Sequence, residues 1–364
     1  MTRIQRWVVA AALAAVVVGL PVLVSVWPAP DDDMPPAQLV SRVRASESRG
    51  WSGYVETRGT IQLPSVDRFD SVGALFGEEL RLRAWWRDDE SWRVDRLFTT
   101  GETDLARQGD VITEWSFEQS RANLSGDPEI RLPRTTDLVP PEVGARVLRG
   151  AAPGSITRLP ARWVAGRDAL GLRVRPAERS SIERADLWVD TDTGVPLQVD
   201  LFVAGEREPA FHTAFRTFDD TRPALETVTV DPPAGTERTF DDVLDIADAA
   251  NQYAPFVPPG SVAGLARSDS TLGAVGLYGT GLTQLVVVPL RDREAQPLRE
   301  QLGRTLGNRQ VPTGTVVSLG PLGVLLTGEA GEGGWLLAGT VTEATLETGA
   351  RDVLTGAELV EEPS

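Results

Sequence analysis

Leu80-Arg81-Leu82-Arg83-Ala84-Trp85-Trp86-Arg87, then Asp88-Asp89-Glu90-Ser91, then Trp92-Arg93-Val94-Asp95-Arg96-Leu97-Phe98, is the stretch that decides how this chain folds. Apolar and polar side chains alternate in both flanking runs, which is the period-two pattern of strands with one covered face. The polar break between them reads as a hairpin loop. Leu80, Leu82, Ala84 and Trp86 share one face of the first strand, while Arg81, Arg83, Trp85 and Arg87 share the other. Trp92 and Val94 carry the apolar face onto the second strand. A strand pair patterned this way belongs to an antiparallel sheet with something packed on one side.

Outward from this hairpin the pattern repeats. Trp51 to Ile61, Thr103 to Arg107, Val111 to Phe117, Ala161 to Val164, Ala169 to Val174, Ala185 to Asp190, Val195 to Val203, Phe211 to Phe218 and Leu225 to Val230 all read as short strands. Asp190-Thr191-Asp192-Thr193-Gly194 is a tight turn, its glycine supplying a positive φ. Strands succeeding one another at such spacing form a meander, and a meander this large curls to hide its edges. The expected fold is therefore α+β, an incomplete antiparallel barrel with helices across its mouth. Helices are expected at Pro36 to Ser48, Val66 to Phe76 and Pro141 to Arg149. Past Asp231-Pro232-Pro233 the pattern changes. Helices at Asp241 to Asn251, Glu294 to Leu306 and Glu343 to Val353, mixed with strands at Ala274 to Tyr278, Leu282 to Leu290, Thr315 to Leu319, Val324 to Thr327 and Trp335 to Thr340, predict a small α+β module.

The N-terminus is of another kind. Trp7 to Trp27 contains no charge, follows Arg3 and Arg6, and precedes Asp31, Asp32 and Asp33. As a helix it spans roughly 30 Å, the thickness of a bilayer core. The basic residues ahead of it set the remainder on the extracytoplasmic side. A cleaved signal peptide is the competing reading, but the exit Ser25-Val26-Trp27-Pro28-Ala29-Pro30 lacks the paired small residues of a cleavage site. The expected organisation is a cytoplasmic stub and single-pass anchor over 1–27, a linker over 28–36, the barrel over 37–232 and the C-terminal module over 233–364.

Composition narrows the chemistry. The formal net charge is −16, lysine is absent, and arginines alternate with acids, so no basic surface for nucleic acid is expected. Without lysine there is no Schiff base or P-loop lysine. Zero cysteine rules out disulfides and an N-terminal lipid-modified cysteine alike. A single histidine, His212, alternates with Phe211 and Phe215 and is expected on the solvent side of its strand. No catalytic residue, metal site or cofactor is expected. The carboxylate pairs Asp88 to Glu90, Asp219-Asp220 and Asp241-Asp242 read as loop or helix-start charges rather than as acid and base. Gly328 to Gly334 lacks a lysine and carries two glutamates, so it reads as a hairpin turn.

Gly50-Trp51-Ser52-Gly53-Tyr54-Val55-Glu56-Thr57-Arg58-Gly59-Thr60, Leu82 to Arg87, Trp92-Arg93-Val94-Asp95 and the segment Ala185 to Val199 together resemble the LolA/RseB-like superfamily over roughly residues 38 to 232. In particular they resemble the membrane-anchored proteins of high-GC Gram-positive bacteria with a sigma-E regulatory RseB-like domain. The resemblance implies a non-catalytic, apolar-lined shell for the acyl chains of a lipid or lipoprotein, and an anti-sigma factor as partner. A carrier working with a membrane exporter is the alternative. The residues that would line such a shell are Leu80, Leu82, Ala84, Trp86, Trp92, Val94, Leu187, Val189, Leu201 and Val203. Alternation reports burial alone, so a filled core at these positions stays an open reading.

Overall fold

The computed structural model describes residues 29–60, 70–128, 130–176, 179–240, 245–268 and 273–359. The apolar run Trp7 to Trp27, the start of the helix expected from Val66, and Asp241 with Asp242 lie outside them. Among the described residues no helix is long and apolar enough to cross a membrane.

Twelve strands form one large sheet: β1 (Trp51–Gly59), β2 (Glu79–Asp88), β3 (Ser91–Phe98), β4 (Gly101–Gln108), β5 (Val111–Ser116), β6 (Arg121–Ser125), β7 (Ile156–Val164), β8 (Arg167–Val174), β9 (Ile182–Asp190), β10 (Pro196–Val203), β11 (Phe211–Asp219) and β12 (Glu237–Phe240). Their order is β12-β6-β5-β4-β3-β2-β1-β11-β10-β9-β8-β7. The chain steps outward from β1 to β6, restarts at the opposite edge and meanders back until β11 pairs with β1. Every pairing is antiparallel except that of β12 with β6. The quoted hairpin is β2 and β3, with Ala84 opposite Val94 and Trp86 opposite Trp92.

Two departures from the sequence reading share one cause. Leu225 to Val230, expected as a strand, begins instead with a single helical turn, α4 (Leu225–Val228). β11 already lies between β1 and β10, so no edge is free for a following strand. The chain crosses β2 and β3 instead, where Arg87 Nη1 donates to Pro223 O at 2.7 Å. It reaches a free edge only at β6, so β12 joins the first sheet although it lies beyond residue 232. The expected helix Asp241 to Asn251 is described only as α5 (Ile246–Asn251, numbered here after α4), capped by the Asp245 carboxylate accepting from Ala247 N and Asp248 N.

Three earlier helices are α1 (Pro36–Ser46), α2 (Asp70–Gly77) and α3 (Pro140–Leu148). α1 and α3 begin on proline, whose missing N–H is no loss in a first turn. α3 lies on β10 and β11 and against α1, which reaches β7. A Cβ on Gly144 would come within 2.7 Å of Pro196, so the glycine is what lets α3 settle onto the sheet. The Asp190 to Gly194 turn forms as expected, with Gly194 at φ 79°. It also fastens α1: Arg42 Nη1 donates to Thr191 O at 2.6 Å and Ser46 Oγ to Gly194 O at 3.0 Å.

The edge strand β7 is closed to further pairing. Pro160 removes a donor, the register shifts between Leu159 and Arg162, and Asp31 accepts from Arg158 Nη2 at 2.6 Å. Arg158 also donates to Asp32 O at 3.1 Å, so the first described residues are stitched to this strand.

The remaining residues build the second sheet. Three two-residue strands, β13 (Phe256–Val257), β14 (Ser261–Val262) and β15 (Leu265–Ala266), precede β16 (Gly276–Thr280), β17 (Thr283–Leu290), β18 (Arg309–Val311), β19 (Gly314–Leu319), β20 (Leu322–Thr327) and β21 (Gly334–Gly339). The six longer strands are ordered β16-β17-β21-β20-β19-β18. Helix α6 (Asp292–Arg304) covers one face through Ala295 and Leu302 against Val317, Val324 and Leu326. Helix α7 (Glu343–Gly356) covers the other through Leu346 and Val353 against Val316, Leu325 and Leu337. The Gly328 to Gly334 run is the β20–β21 turn.

Candidate functional site

The ten residues singled out from the sequence all fall on β2, β3, β9 and β10. Leu82, Ala84, Val94, Leu187 and Val189 are fully buried, and Leu80, Trp86 and Trp92 nearly so. These eight join one continuous apolar cluster with Leu39, Val40 and Val43 of α1 and Val143, Val147 and Leu148 of α3. Leu201 is half-buried against the same cluster, and Val203 is half-buried at the far end of β10. The face that alternation marked is thus part of one apolar cluster, with α3 lying over it at β10 and β11 and α1 packed beside α3.

At one end this surface is built from stacked indoles. Trp51, Trp86 and Trp92 stand side by side on β1, β2 and β3, with ring centroids 5.9 and 5.5 Å apart and planes within 6° and 9° of parallel. Phe215 meets Trp51 edge-on at 5.2 Å. Cross-strand aromatic pairs of this kind hold register and curvature together.

α3 has a second neighbour. Its last turn meets the β16–β17 turn, where a Cβ on Gly281 (φ 62°) would lie 2.5 Å from Arg149 O. Leu282, next in that turn, belongs to the cluster beneath the helices. The segment before β9 adds polar stitches: Thr342 N donates to Arg179 O at 3.0 Å, Ser180 Oγ to Leu282 O at 2.8 Å, and Ser181 Oγ to Pro321 O. One short helix therefore touches both the apolar face of the large sheet and the second module.

The opposite face of the same strands carries charge. Asp95 on β3 and Asp104 on β4 are directly opposite one another and both fully buried. Arg93 donates to Asp95 at 2.6 and 3.1 Å and to Asp104 at 2.8 Å, while Arg83 donates to Asp95 at 3.2 Å and to Glu102. Both guanidinium groups lie over the Trp85 ring, at 5.5 and 5.7 Å. Burial, followed by the Asp95 charge, pushes the Asp104 carboxyl up to about 7, and its Oδ1 is left without a partner. Asp95, Glu102 and Asp104 could be brought onto one cation by distance alone. Two arginines already occupy that position, so the group reads as a neutralised ion network. Asp95 stood in the quoted strand and Asp104 in the next, but nothing in single-strand alternation marks two aspartates as cross-strand neighbours.

His212 lies on the face opposite Phe211 and Phe215, as alternation requires, yet it is half-buried rather than free in solvent. Its Nδ1 is 2.5 Å from Asp200 Oδ1, and Gln198 Nε2 donates to the other Asp200 oxygen at 2.8 Å. No hydroxyl among the described residues hydrogen-bonds this ring.

Two cavities among the described residues lie away from the ten residues. One, of about 570 Å³, lies at the end of β5, between Trp115, Phe117 and the Pro233 to Thr236 segment. The other, of about 370 Å³, lies between Arg179, the Ala263-Gly264 turn and α7.

Among solved structures the chain is similar to MucB in complex with MucA(peri), at 15% identity and a TM-score of 0.48, covering 90% of this chain and 100% of that one. It is similar to the MucA/MucB complex of Pseudomonas aeruginosa at 16% identity and 0.48, covering 90% and 99%. A LolA superfamily protein from Nitrosomonas europaea matches at 12% identity and 0.25, covering 54% and 98%. No protein-family model and no curated relative matches the chain.

Proposed function

We propose that this chain is a non-catalytic binding protein, held by residues 7–27 at the outer face of a cell membrane, which senses acyl chains of a lipid or lipoprotein and passes that state to a regulatory partner. The observation that carries the reading is the position of α3. It seals the apolar face through Val143, Val147 and Leu148, and its last turn rests on the β16–β17 turn of the second module. With this part of the face closed, an acyl chain can reach Leu187 or Val189 only by lifting α1 or α3. Such a displacement disturbs the second module in the same event. Occupancy and signal are then one equilibrium, which suits a sensor better than a shuttle.

The resemblance to RseB-like domains supports an anti-sigma factor as the partner. The linker supports a tethered arrangement: Asp31 is already fixed to Arg158, so only a few residues separate Trp27 from the sheet.

Because the chain has no cysteine, a single label can report α1 directly. Ser41→Cys on the exposed side of α1, spin-labelled in the full chain in nanodiscs, is expected to become more mobile when a diacyl or triacyl lipopeptide is added. Mass spectrometry of the intact complex should show the lipopeptide bound. An unchanged spectrum together with no bound lipopeptide would overturn the reading.

A further inference from the structure

The larger cavity has features that the proposed acyl-chain site does not use. Ile112 of β5 faces the apolar cluster, so Trp115, three residues on, points to the other face, beside Asp104 in the strand register. Trp115 and Phe117 form a corner: their centroids are 5.7 Å apart and their planes meet at 80°. Phe117 is 61% exposed, so its ring is open to a ligand in the cavity. Pro233 and Ala234 close the apolar side, and Thr100 and Ser120 bring hydroxyls to the rim.

The remaining wall is Glu118. Its carboxylate lies back across the hairpin, over Gly101, where any Cβ would collide with it. Among the described residues it has no ion-pair partner. The arginines at this end of the sheet are already engaged: Arg121 with Glu237 at 3.6 Å and Arg238 with Asp231 at 3.6 Å. Two aromatic walls at a right angle, with one unmatched carboxylate and no competing guanidinium, form the electrostatic complement of an organic cation, whose diffuse charge is attracted to ring faces and sheds water cheaply.

We infer that the cavity bounded by Trp115, Phe117 and Glu118 binds an alkylammonium group, of the quaternary ammonium class. Its volume of about 570 Å³ admits a choline-sized group with room for a substituent. The group can arrive as a free small cation or as a lipid headgroup. The site lies on the face of the sheet opposite α1 and α3, so it stands or falls independently of acyl-chain binding.

The test uses the full chain in phosphatidylglycerol nanodiscs, titrated with choline and with its neutral isostere 3,3-dimethylbutan-1-ol, followed by saturation-transfer NMR. Choline is expected to bind and the isostere to bind at least tenfold more weakly. Trp115→Leu and Phe117→Leu should each weaken choline tenfold or more, and Glu118→Gln severalfold. Glu118→Gln keeps the shape of the hairpin, so its effect reads charge even if the aromatic variants fold poorly. Equal binding of choline and isostere, no binding of either, or an unaffected Glu118→Gln would overturn the assignment. Repeating the titration in phosphatidylcholine nanodiscs separates the sources. Loss of the response to added choline identifies the headgroup as occupant, and an unchanged response identifies the free cation.

Discussion

The two faces of β2 and β3 are made from alternate residues of the same strands, yet they are held by opposite physics. On one, Leu82, Ala84, Trp86, Trp92 and Val94 lie buried in the apolar cluster. On the other, Arg83, Arg93, Asp95, Glu102 and Asp104 form a network whose two aspartates are as completely buried as the leucines. The apolar face gains from removing carbon surface from water, which tolerates imprecision. The charged face offsets desolvation only while every partner is in place. Damage should therefore scale with volume on the first face and with unmatched charge on the second.

The largest effect is expected from Trp86→Ala, which removes the middle ring of the indole stack. Urea unfolding should show a loss of ~3 to 5 kcal/mol. A loss below about 1 kcal/mol would mean that the stack is a consequence of the sheet and not one of its supports. Arg93→Ala, on the charged face, leaves Asp95 and Asp104 facing each other with Arg83 alone, and should cost about 3 kcal/mol. If Arg93→Ala costs no more than an exposed arginine such as Arg351, the contrast between the faces fails. Ala84→Trp sharpens it from the other side. In a filled interior the indole has nowhere to go, giving a loss of ~1 to 3 kcal/mol. If the variant keeps full stability and loses only acyl-lipid binding, the face opens more readily than its burial indicates.

A pH dependence tests the charged face without changing the volume of a side chain. The ordinary value of the Asp104 carboxyl is 3.8, and the fold raises it to about 7. The folded chain thus holds a proton that the unfolded chain has released, and this group's contribution is full below 3.8 and fades as pH rises toward about 7. Asp104→Asn should flatten that part of the curve of Tm against pH and raise Tm above pH 7. An unchanged slope would show that Asp104 is ionised in the fold at neutral pH.

How much of this was legible in the sequence follows from the range over which each signal acts. Alternation over Leu80 to Phe98 is local, and it placed the two strands, the hairpin and six of the eight deeply buried residues on one face. It could not say what lies on that face, because the packing helix is distant in sequence: α3 approaches Leu187 and Pro196 only because Gly144 has no side chain. Leu225 to Val230 alternates like a strand and is not one, because strand formation there needed a vacant neighbour. Conversely Arg121 to Ser125 has almost no apolar signal and is a strand because β5 offered an edge. The Asp95 and Asp104 pair, the link between α3 and the Gly281 turn, and the aromatic corner at Trp115 all depend on register between segments, which no single stretch encodes.

The stitch between Asp31 and Arg158 also has a mechanical meaning. A pull on the residues ahead of Asp31 is delivered to the outermost strand rather than spread along the whole body. Hydrogen bonds loaded at one margin give way in succession, not together. Tension would peel β7 from β8 first, and the force needed would be that of a single strand letting go.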